Sequence, residues 1–97
     1  MPHIQLTAEY LVSPQHRDEV LSVIAEMSRL SRLEPGNLAY SAYQSVDDPE
    51  RVLLVELYED DGAVEAHRSS PHFRELVLER IVPLLISRSV RRSIVAD

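Results

Sequence analysis

The spacing of apolar residues switches along the chain between the period of a strand and the period of a helix, and this succession limits the fold more than any other feature. Residues His3–Val12 alternate apolar and polar side chains, which predicts a strand with one buried face. Ser13 and Pro14 then provide an N-cap followed by a proline in the first helical turn. Apolar residues recur at helical spacing from Val20 to Leu30, and Glu34-Pro35-Gly36 ends this predicted helix.

The second half of the chain repeats the alternation. Residues 37–46 and 51–59 read as strands joined by the turn Asp47-Asp48-Pro49-Glu50, so we expect an antiparallel hairpin. Asp60 or Asp61 can cap the next helix, which places four residues on one face: Ala63, Ala66, His67 and Ser70. Pro71 interrupts that helix. A further helical run follows, with an apolar stripe formed by Phe73, Leu76, Val77, Ile81 and Leu84, and residues 86–95 are predicted to form a fourth strand.

The resulting order βαββαβ predicts the fold class. It indicates an α+β, ferredoxin-like domain spanning residues 1–97, with a four-stranded antiparallel sheet and helices on one face. The third strand is apolar at successive positions, so Leu53, Val55 and Leu57 should point away from the helices. A monomer would leave this patch in water, and we therefore expect a homodimer that packs sheet face against sheet face.

Composition removes several classes of function. The absence of cysteine excludes disulfides, thiolate metal sites and thiol nucleophiles. The net charge of −6 argues against a nucleic-acid partner, and Arg88, Arg91 and Arg92 read as solvated charge on an edge strand. No apolar run is long enough for a membrane span and no secretory signal is visible, which predicts a cytoplasmic protein with no membrane partner. His67 and His72 are five residues apart across Pro71, so we expect no metal site.

One segment resembles a known family. Residues 56–73 run from Glu-x-aromatic at the end of a strand, through Ala63 and then His67 four residues later, to a Ser-Pro-His-Phe turn. This arrangement is similar to the signature of the antibiotic biosynthesis monooxygenase domain. Pro-Gly-Asn-Leu-Ala-Tyr at residues 35–40 and Asp-Asp-Pro at 47–49 resemble the family's pattern upstream, so that the resemblance covers about half the chain.

The resemblance implies a dimeric α/β barrel that oxidises small phenolic or quinol substrates with molecular oxygen and without a cofactor. Related branches isomerise small carbonyl metabolites, and some members have no known activity. Two departures matter. The family's aromatic residue is most often tryptophan, whereas here it is Tyr58. The haem-degrading branch carries a histidine after the turn, and none follows Phe73 in this sequence.

Seven residues become site candidates through this resemblance. His67 is the candidate base, because the unperturbed imidazole titrates near neutral pH. Tyr58 and Asn37 could donate hydrogen bonds to a substrate oxygen, and Glu56 shares the helix-facing side of its strand with Tyr58. Three further residues are predicted to line the walls of a substrate pocket: Tyr40, Phe73 and Met27.

Each candidate also has a structural interpretation. His67 could be a satisfied, partly buried residue, and Glu56 could form an ion pair with Arg68 or Arg74. Asn37 could serve the turn after Pro35-Gly36, and His72 could bridge at the Pro71 turn. The sequence therefore leaves three functions open: a cofactor-independent monooxygenase, an isomerase of a small carbonyl compound with His67 moving a proton, and a non-catalytic ligand-binding dimer.

Overall fold

The computed structural model describes residues 2–96 and has the predicted element order. The strands are β1 His3–Val12, β2 Asn37–Gln44, β3 Arg51–Tyr58 and β4 Leu85–Val95, and the α-helices are α1 Arg17–Ser31 and α2 Asp61–Arg68. A π-helix spans Phe73–Ile81, and short 3-10 turns span Pro14–His16 and Val82–Leu84. All strand pairs are antiparallel and the sheet order is β2-β3-β1-β4, which confirms the ferredoxin-like arrangement. No helix in residues 2–96 has the length and apolar character needed to cross a membrane.

The core lies between the sheet and the helices. Every second residue of β1 faces this core and is buried, as the alternation predicts: Ile4, Leu6, Ala8, Tyr10 and Val12. Val20, Ile24 and Met27 of α1 pack against that face and are almost completely buried. Each such side chain contributes roughly 1.5–3 kcal/mol through the removal of apolar surface from water. This core fixes the position of the sheet relative to the helices that carry the candidate site.

The two helix starts differ from each other in how they are capped. Ser13 makes no capping hydrogen bond, because the chain first forms a 3-10 turn over Pro14–His16, so that predicted cap is wrong. The Oδ1 atom of Asp60 accepts a hydrogen bond from the backbone N–H of Ala63 at 2.9 Å, which confirms one of the two predicted caps for α2.

In α2 the buried residues are Val64 and His67, whereas Ala66 is exposed. The predicted buried face was therefore wrong at Ala66.

The opposite face of the sheet carries the apolar residues of β3, as predicted. Leu53 is 38% exposed, and Val55 and Leu57 are half-buried on the side away from the helices. Tyr43 of β2, which lies opposite Leu53 in the register, is 56% exposed on the same face. In β2 only Tyr40 is buried, whereas Leu38 and Ala42, two residues before and after it, are exposed.

Gly36 lies where the chain turns into β2 and packs closely against α2. A Cβ atom at this position would lie 2.4 Å from Cβ and 3.3 Å from Cα of Ala63, a distance at which the backbone must move. We expect Gly36→Ala to lower the free energy of unfolding by about 1–3 kcal/mol, as overpacking does. The matched control is Gly62→Ala, whose Cβ would meet only Asp60 Oδ1 at 3.4 Å and should leave stability unchanged or raise it. Urea unfolding of both variants tests this, and equal midpoints would contradict it.

Candidate active site

Five polar or aromatic side chains from separate parts of the sequence meet between the sheet and α2. Glu56 and Tyr58 are on the helix-facing side of β3 and are buried, because alternate residues of a strand share a face. His67 projects from α2 towards them and is only 2% exposed. Glu34, in the turn after α1, and His72, just before the π-helix, complete the group. The fold thus gathers ionisable groups that lie up to 38 residues apart.

The hydrogen bonds of His67 define its orientation. Its Nδ1 atom lies 2.9 Å from Oε2 and 3.1 Å from Oε1 of Glu34. A carboxylate can only accept, so this contact places the imidazole proton on Nδ1. Nε2 then carries a free lone pair and lies 3.6 Å from Oε1 of Glu56, beyond hydrogen-bond distance. The arrangement holds His67 in the tautomer that can accept a proton at Nε2.

Glu34 also binds the second histidine and was not among the sequence candidates. Its Oε2 atom lies 2.5 Å from Nε2 of His72, which confirms that His72 bridges near the Pro71 turn. Ligand atoms of Glu34, His67 and His72 all lie within 4.8 Å of one another, so these three residues could hold a metal ion. The spacing of the two histidines alone does not exclude a metal site, because the third ligand atom comes from Glu34 in the Glu-Pro-Gly turn.

Glu56 is buried without a cation directly beside it. Burial raises the pKa of its carboxyl group, and the charge of Glu34 adds to this shift. The hydrogen bond from the Tyr58 hydroxyl at 2.6 Å, the charge of Arg88, and the charge that His67 carries when its imidazole is protonated partly oppose the shift. Within residues 2–96 neither Arg68 nor Arg74 pairs with Glu56; Arg74 lies near Glu75 and Glu79 instead. The predicted ion pair of Glu56 is therefore wrong. Burial and the adjacent Glu56 also raise the pKa of the Tyr58 hydroxyl, so that it remains a hydrogen-bond donor.

Aromatic rings surround His67. Ring centroids lie 5.2 Å away for Tyr58, 5.3 Å for Phe73 and 6.1 Å for Tyr40. A small cavity of about 20 Å³, with room for about one water molecule, adjoins this group and opens towards solvent. Its lining residues come from all four strands, α2 and the π-helix: Leu6, Ala8, Tyr10, Tyr40, Glu56, His67, Arg68, Phe73, Val77, Arg88 and Val90. Most of the lining residues are apolar, and Glu56, His67, Arg68 and Arg88 bring polar groups to the cavity.

The structure brings together five of the seven candidates and separates two. Four candidates line the cavity: His67, Glu56, Tyr40 and Phe73. Tyr58 does not line it but contacts Glu56 and His67, which do. Asn37 is on the adjacent strand, but its side-chain N–H donates to the carbonyl of Ala39 at 3.2 Å, as the turn interpretation expects. Met27 is fully buried in the core beside Val20 and Ile24 and does not line the cavity, because its helix stripe packs on the centre of the sheet.

The raised pKa of Glu56 predicts a pH-dependent effect on stability. In the folded state Glu56 retains its proton to higher pH than in the unfolded chain, so stability falls as pH rises through the unfolded value towards the folded one. Glu56→Gln removes this loss and can still accept from the Tyr58 hydroxyl. At pH 7–8 we expect the variant to have a higher melting temperature than the wild type, by about 4–8 °C for each kcal/mol of stability gained. At pH 4 the two melting temperatures should be equal. A constant difference across this pH range would contradict the assignment.

Comparison with known proteins identifies the family. The sequence pattern that defines the antibiotic biosynthesis monooxygenase family matches residues 4–77. The chain belongs to this family. Within it, the isomerase of (4S)-4-hydroxy-5-phosphonooxypentane-2,3-dione from Klebsiella pneumoniae is 31% identical over 87 residues, 90% of this chain and 88% of the isomerase. YcnE of Bacillus subtilis, named as a candidate monooxygenase, is 31% identical over 74 residues, 76% of this chain and 78% of YcnE.

Solved structures agree with the family's fold. A conserved protein from Methanosarcina mazei superposes with a TM-score of 0.90 at 23% identity, covering 96% of this chain and 92% of the other. A structure described as an antibiotic biosynthesis monooxygenase gives 0.85 at 24% identity, with 97% of both chains covered. These likenesses confirm the fold. The sequence relatives carry two different activities in their names, so family membership alone leaves the reaction to be argued from the site.

Proposed function

We propose that the protein is a cofactor-independent monooxygenase that oxidises a small aromatic phenol or quinol with molecular oxygen. The observation that carries this proposal is the orientation of His67: Glu34 holds Nδ1, while the ring lies in the wall of a cavity with Nε2 available to accept a proton. A phenol or quinol becomes a much stronger reductant when it loses a proton. A held, buried base next to an aromatic-lined cavity is therefore suited to start such a reaction.

The reaction can be balanced with the substrate as the only reductant. His67 Nε2 accepts the hydroxyl proton of a hydroquinone, and the anion passes one electron to oxygen. The two radicals combine to form a carbon–oxygen bond, giving a peroxide anion on a ring carbon, and His67 returns its proton to form the hydroperoxide. The hydroperoxide loses water, and the product is a hydroxyquinone. One oxygen atom enters the product, the other leaves as water, and the substrate supplies all four electrons.

The other polar groups have supporting roles in this proposal. The Tyr58 hydroxyl donates to Glu56, and this pair lies beside His67 Nε2, where a substrate hydroxyl would approach. Tyr40 and Phe73 offer ring faces and edges for stacking against an aromatic substrate. Asn37 and Met27 have no place in it, since neither lines the cavity.

Oxygen uptake tests the proposal directly. Metal-stripped protein is incubated with a panel of hydroquinones and polycyclic phenols, and consumption of oxygen is compared with autoxidation in protein-free buffer. We expect oxygen uptake faster than autoxidation for at least one quinol. When the gas is ¹⁸O₂, we expect one ¹⁸O atom in the product, so that the inserted oxygen comes from the gas and not from water. If no substrate is consumed faster than in buffer, or if activity returns only when a metal is added to the Glu34–His67–His72 group, the proposal is wrong.

An isomerase is the second candidate, because the Klebsiella pneumoniae isomerase aligns with 90% of this chain. In that reaction His67 would move a proton between carbons of a small carbonyl compound and oxygen would not be consumed. Incubation of the phosphorylated pentanedione under nitrogen separates the two: conversion without oxygen favours the isomerase. Binding of both substrate classes without conversion favours the non-catalytic module.

We further infer that the protein is a homodimer formed through the outer face of the sheet. Leu53, Val55 and Leu57 form an apolar strip there, and Tyr43 extends it. We expect the wild type to have about twice the chain mass of 11.1 kDa in light scattering, and Leu53→Arg to have the mass of one chain. Leu78→Arg is the control, since Leu78 is 46% exposed on the helix side and should leave the dimer intact. A monomeric wild type would refute the inference.

A further inference from the structure

Two arginines at the cavity have no carboxylate partner. Most arginines of the chain are engaged: Arg17, Arg29, Arg51, Arg74 and Arg92 lie in ion pairs, and Arg32 donates to the carbonyl of Tyr40. Within residues 2–96, the side chain of Arg68 is in no ion pair or hydrogen bond, and the side chain of Arg88 interacts with the Tyr10 hydroxyl and, at longer range, with Tyr40 and with the charge of Glu56. Both residues line the cavity.

The position of β4 brings Arg88 to this place. β4 is an edge strand and pairs with β1 so that Arg88 lies opposite Tyr10 and Val90 opposite Ala8. Tyr10 and Ala8 are buried beneath the helices, whereas Arg88 and Val90 are exposed. The helix layer therefore ends short of β4, and the cavity is open on this side. Arg68 follows His67 on α2 and lines the same cavity from the helix layer, across from Arg88 in the sheet.

The sequence suggested that the three arginines of β4 belong together, but in the structure they do not form one patch. Arg92 faces the helices and pairs with Asp61 at the start of α2. Arg91 lies opposite Thr7 on the outer face of the sheet, in a groove that also contains Glu9 and Leu53. Only Arg88 belongs to the cavity. The interpretation of all three as solvated edge charge is therefore incomplete, and Arg91 serves as a matched control on the same strand.

The charge at the cavity is opposite to that of the chain. The protein has a net charge of −6, yet two guanidinium groups line a cavity whose single carboxyl group is buried. A neutral ligand would gain less from these groups than an anion would. A phosphate, sulfonate or carboxylate accepts the forked hydrogen bonds that guanidinium donates, and such charge-assisted bonds are about twice as strong as neutral ones.

We propose that Arg68 and Arg88 form an anion-binding mouth and that the physiological substrate carries an anionic group, held there while its hydroxyl or carbonyl reaches His67. This proposal rests on the proposed function for the role of His67, but the anion site itself does not depend on catalysis. In this proposal Arg68 and Arg88 select the substrate, and His67 transfers the proton.

Binding and turnover of two probes test the proposal separately. Hydroquinone and hydroquinone sulfonate are titrated by calorimetry under nitrogen, so that no reaction occurs, and oxygen uptake is then measured with each. We expect the wild type to bind the sulfonate at least about 10-fold more tightly, with the preference weakened as sodium chloride rises from 0.05 to 0.5 M. Arg88→Gln and Arg68→Gln should each remove most of the preference, Arg88→Lys should keep part of it, and Arg91→Gln should keep all of it.

The outcomes distinguish this proposal from the proposed function. Equal binding of the two probes, failure of both to bind, or a loss of preference in Arg91→Gln as large as in Arg88→Gln overturns the anion-binding mouth. Uptake of oxygen with equal kcat/KM for both probes overturns it as well and leaves the monooxygenase standing. Preferential, arginine-dependent binding of the sulfonate without oxygen uptake supports the mouth and counts against the monooxygenase. Circular dichroism of each variant establishes that the fold is retained.

Discussion

Replacement of His67 by glutamine is expected to lower the rate of oxygen uptake by about 10²–10⁴-fold, the range for loss of a general base. Glutamine has a similar length and can still donate to Glu34, but its amide cannot accept a proton at neutral pH. Because His67 is 2% exposed and packed against three aromatic rings, this substitution disturbs the surroundings less than alanine would. The loss should appear in kcat, since substrate would still contact Tyr40 and Phe73.

The control is His16→Gln, because His16 is a partly exposed histidine at the start of α1, away from the cavity. It should keep the wild-type rate. If His67→Gln retains more than about a tenth of the activity while its melting temperature is unchanged, His67 is not the base. Oxygen uptake with protein and with protein-free buffer in the same chamber measures both rates.

Replacement of Glu34 by glutamine is expected to have the second-largest effect, a loss of about 10–100-fold, which is typical of removing a group that orients a functional histidine. Glu34 accepts hydrogen bonds from both His67 Nδ1 and His72 Nε2. A glutamine amide presents only one oxygen, and its NH₂ group would face an N–H. His67 would then rotate or exchange its proton to Nε2, and either change removes the Nε2 lone pair from its present position beside Glu56.

The division of this loss between kcat and KM distinguishes orientation from substrate binding. Glu34 does not line the cavity, so KM should change little while kcat falls. Glu26→Gln is the matched control, because Glu26 pairs with Arg29 on the exposed surface of α1. A rise in KM at constant kcat would place Glu34 in substrate binding and contradict its role in holding His67.

The fold could be predicted because the spacing of apolar residues changes along the chain from the period of a strand to that of a helix and back. β1 was predicted at its exact limits, since polar and apolar residues alternate from His3 to Val12 and Ser13-Pro14 ends the pattern. The limits of β3 differed by one residue at Glu59. The π-helix at Phe73–Ile81 was expected only as a helical run, because the apolar stripe does not distinguish i→i+4 from i→i+5 bonding.

The site could be predicted only where the family signature covered it. His67 and Tyr58 are in the signature, and the alternation of β3 placed Glu56 on the same face as Tyr58. Glu34 was missed because Glu-Pro-Gly is read as the end of a helix, and a stop signal carries no information about where its side chain points. The one available clue was that Glu34 comes directly before residues 35–40, the upstream segment that resembles the family.

One error came from assigning a pocket role by residue type. Met27 is on the helix stripe that packs into the core, which its spacing from Val20 and Ile24 already implied. The interpretation of Arg88, Arg91 and Arg92 as exposed charge on an edge strand holds for Arg88, but it did not separate Arg91, which lies on the opposite face of β4. In both cases the periodicity of the element contained the distinction.

The position of β1 in the middle of the sheet has a consequence during synthesis. Its two neighbours are β3 and β4, and β4 begins roughly 70 residues after β1 ends. At about 5–20 residues per second, the ribosome needs roughly 4–14 s to make that stretch. Throughout this interval one edge of an apolar strand has no native partner. The nascent chain is therefore most exposed to mispairing before β4 emerges, and a strand-binding chaperone would have its largest effect in that window.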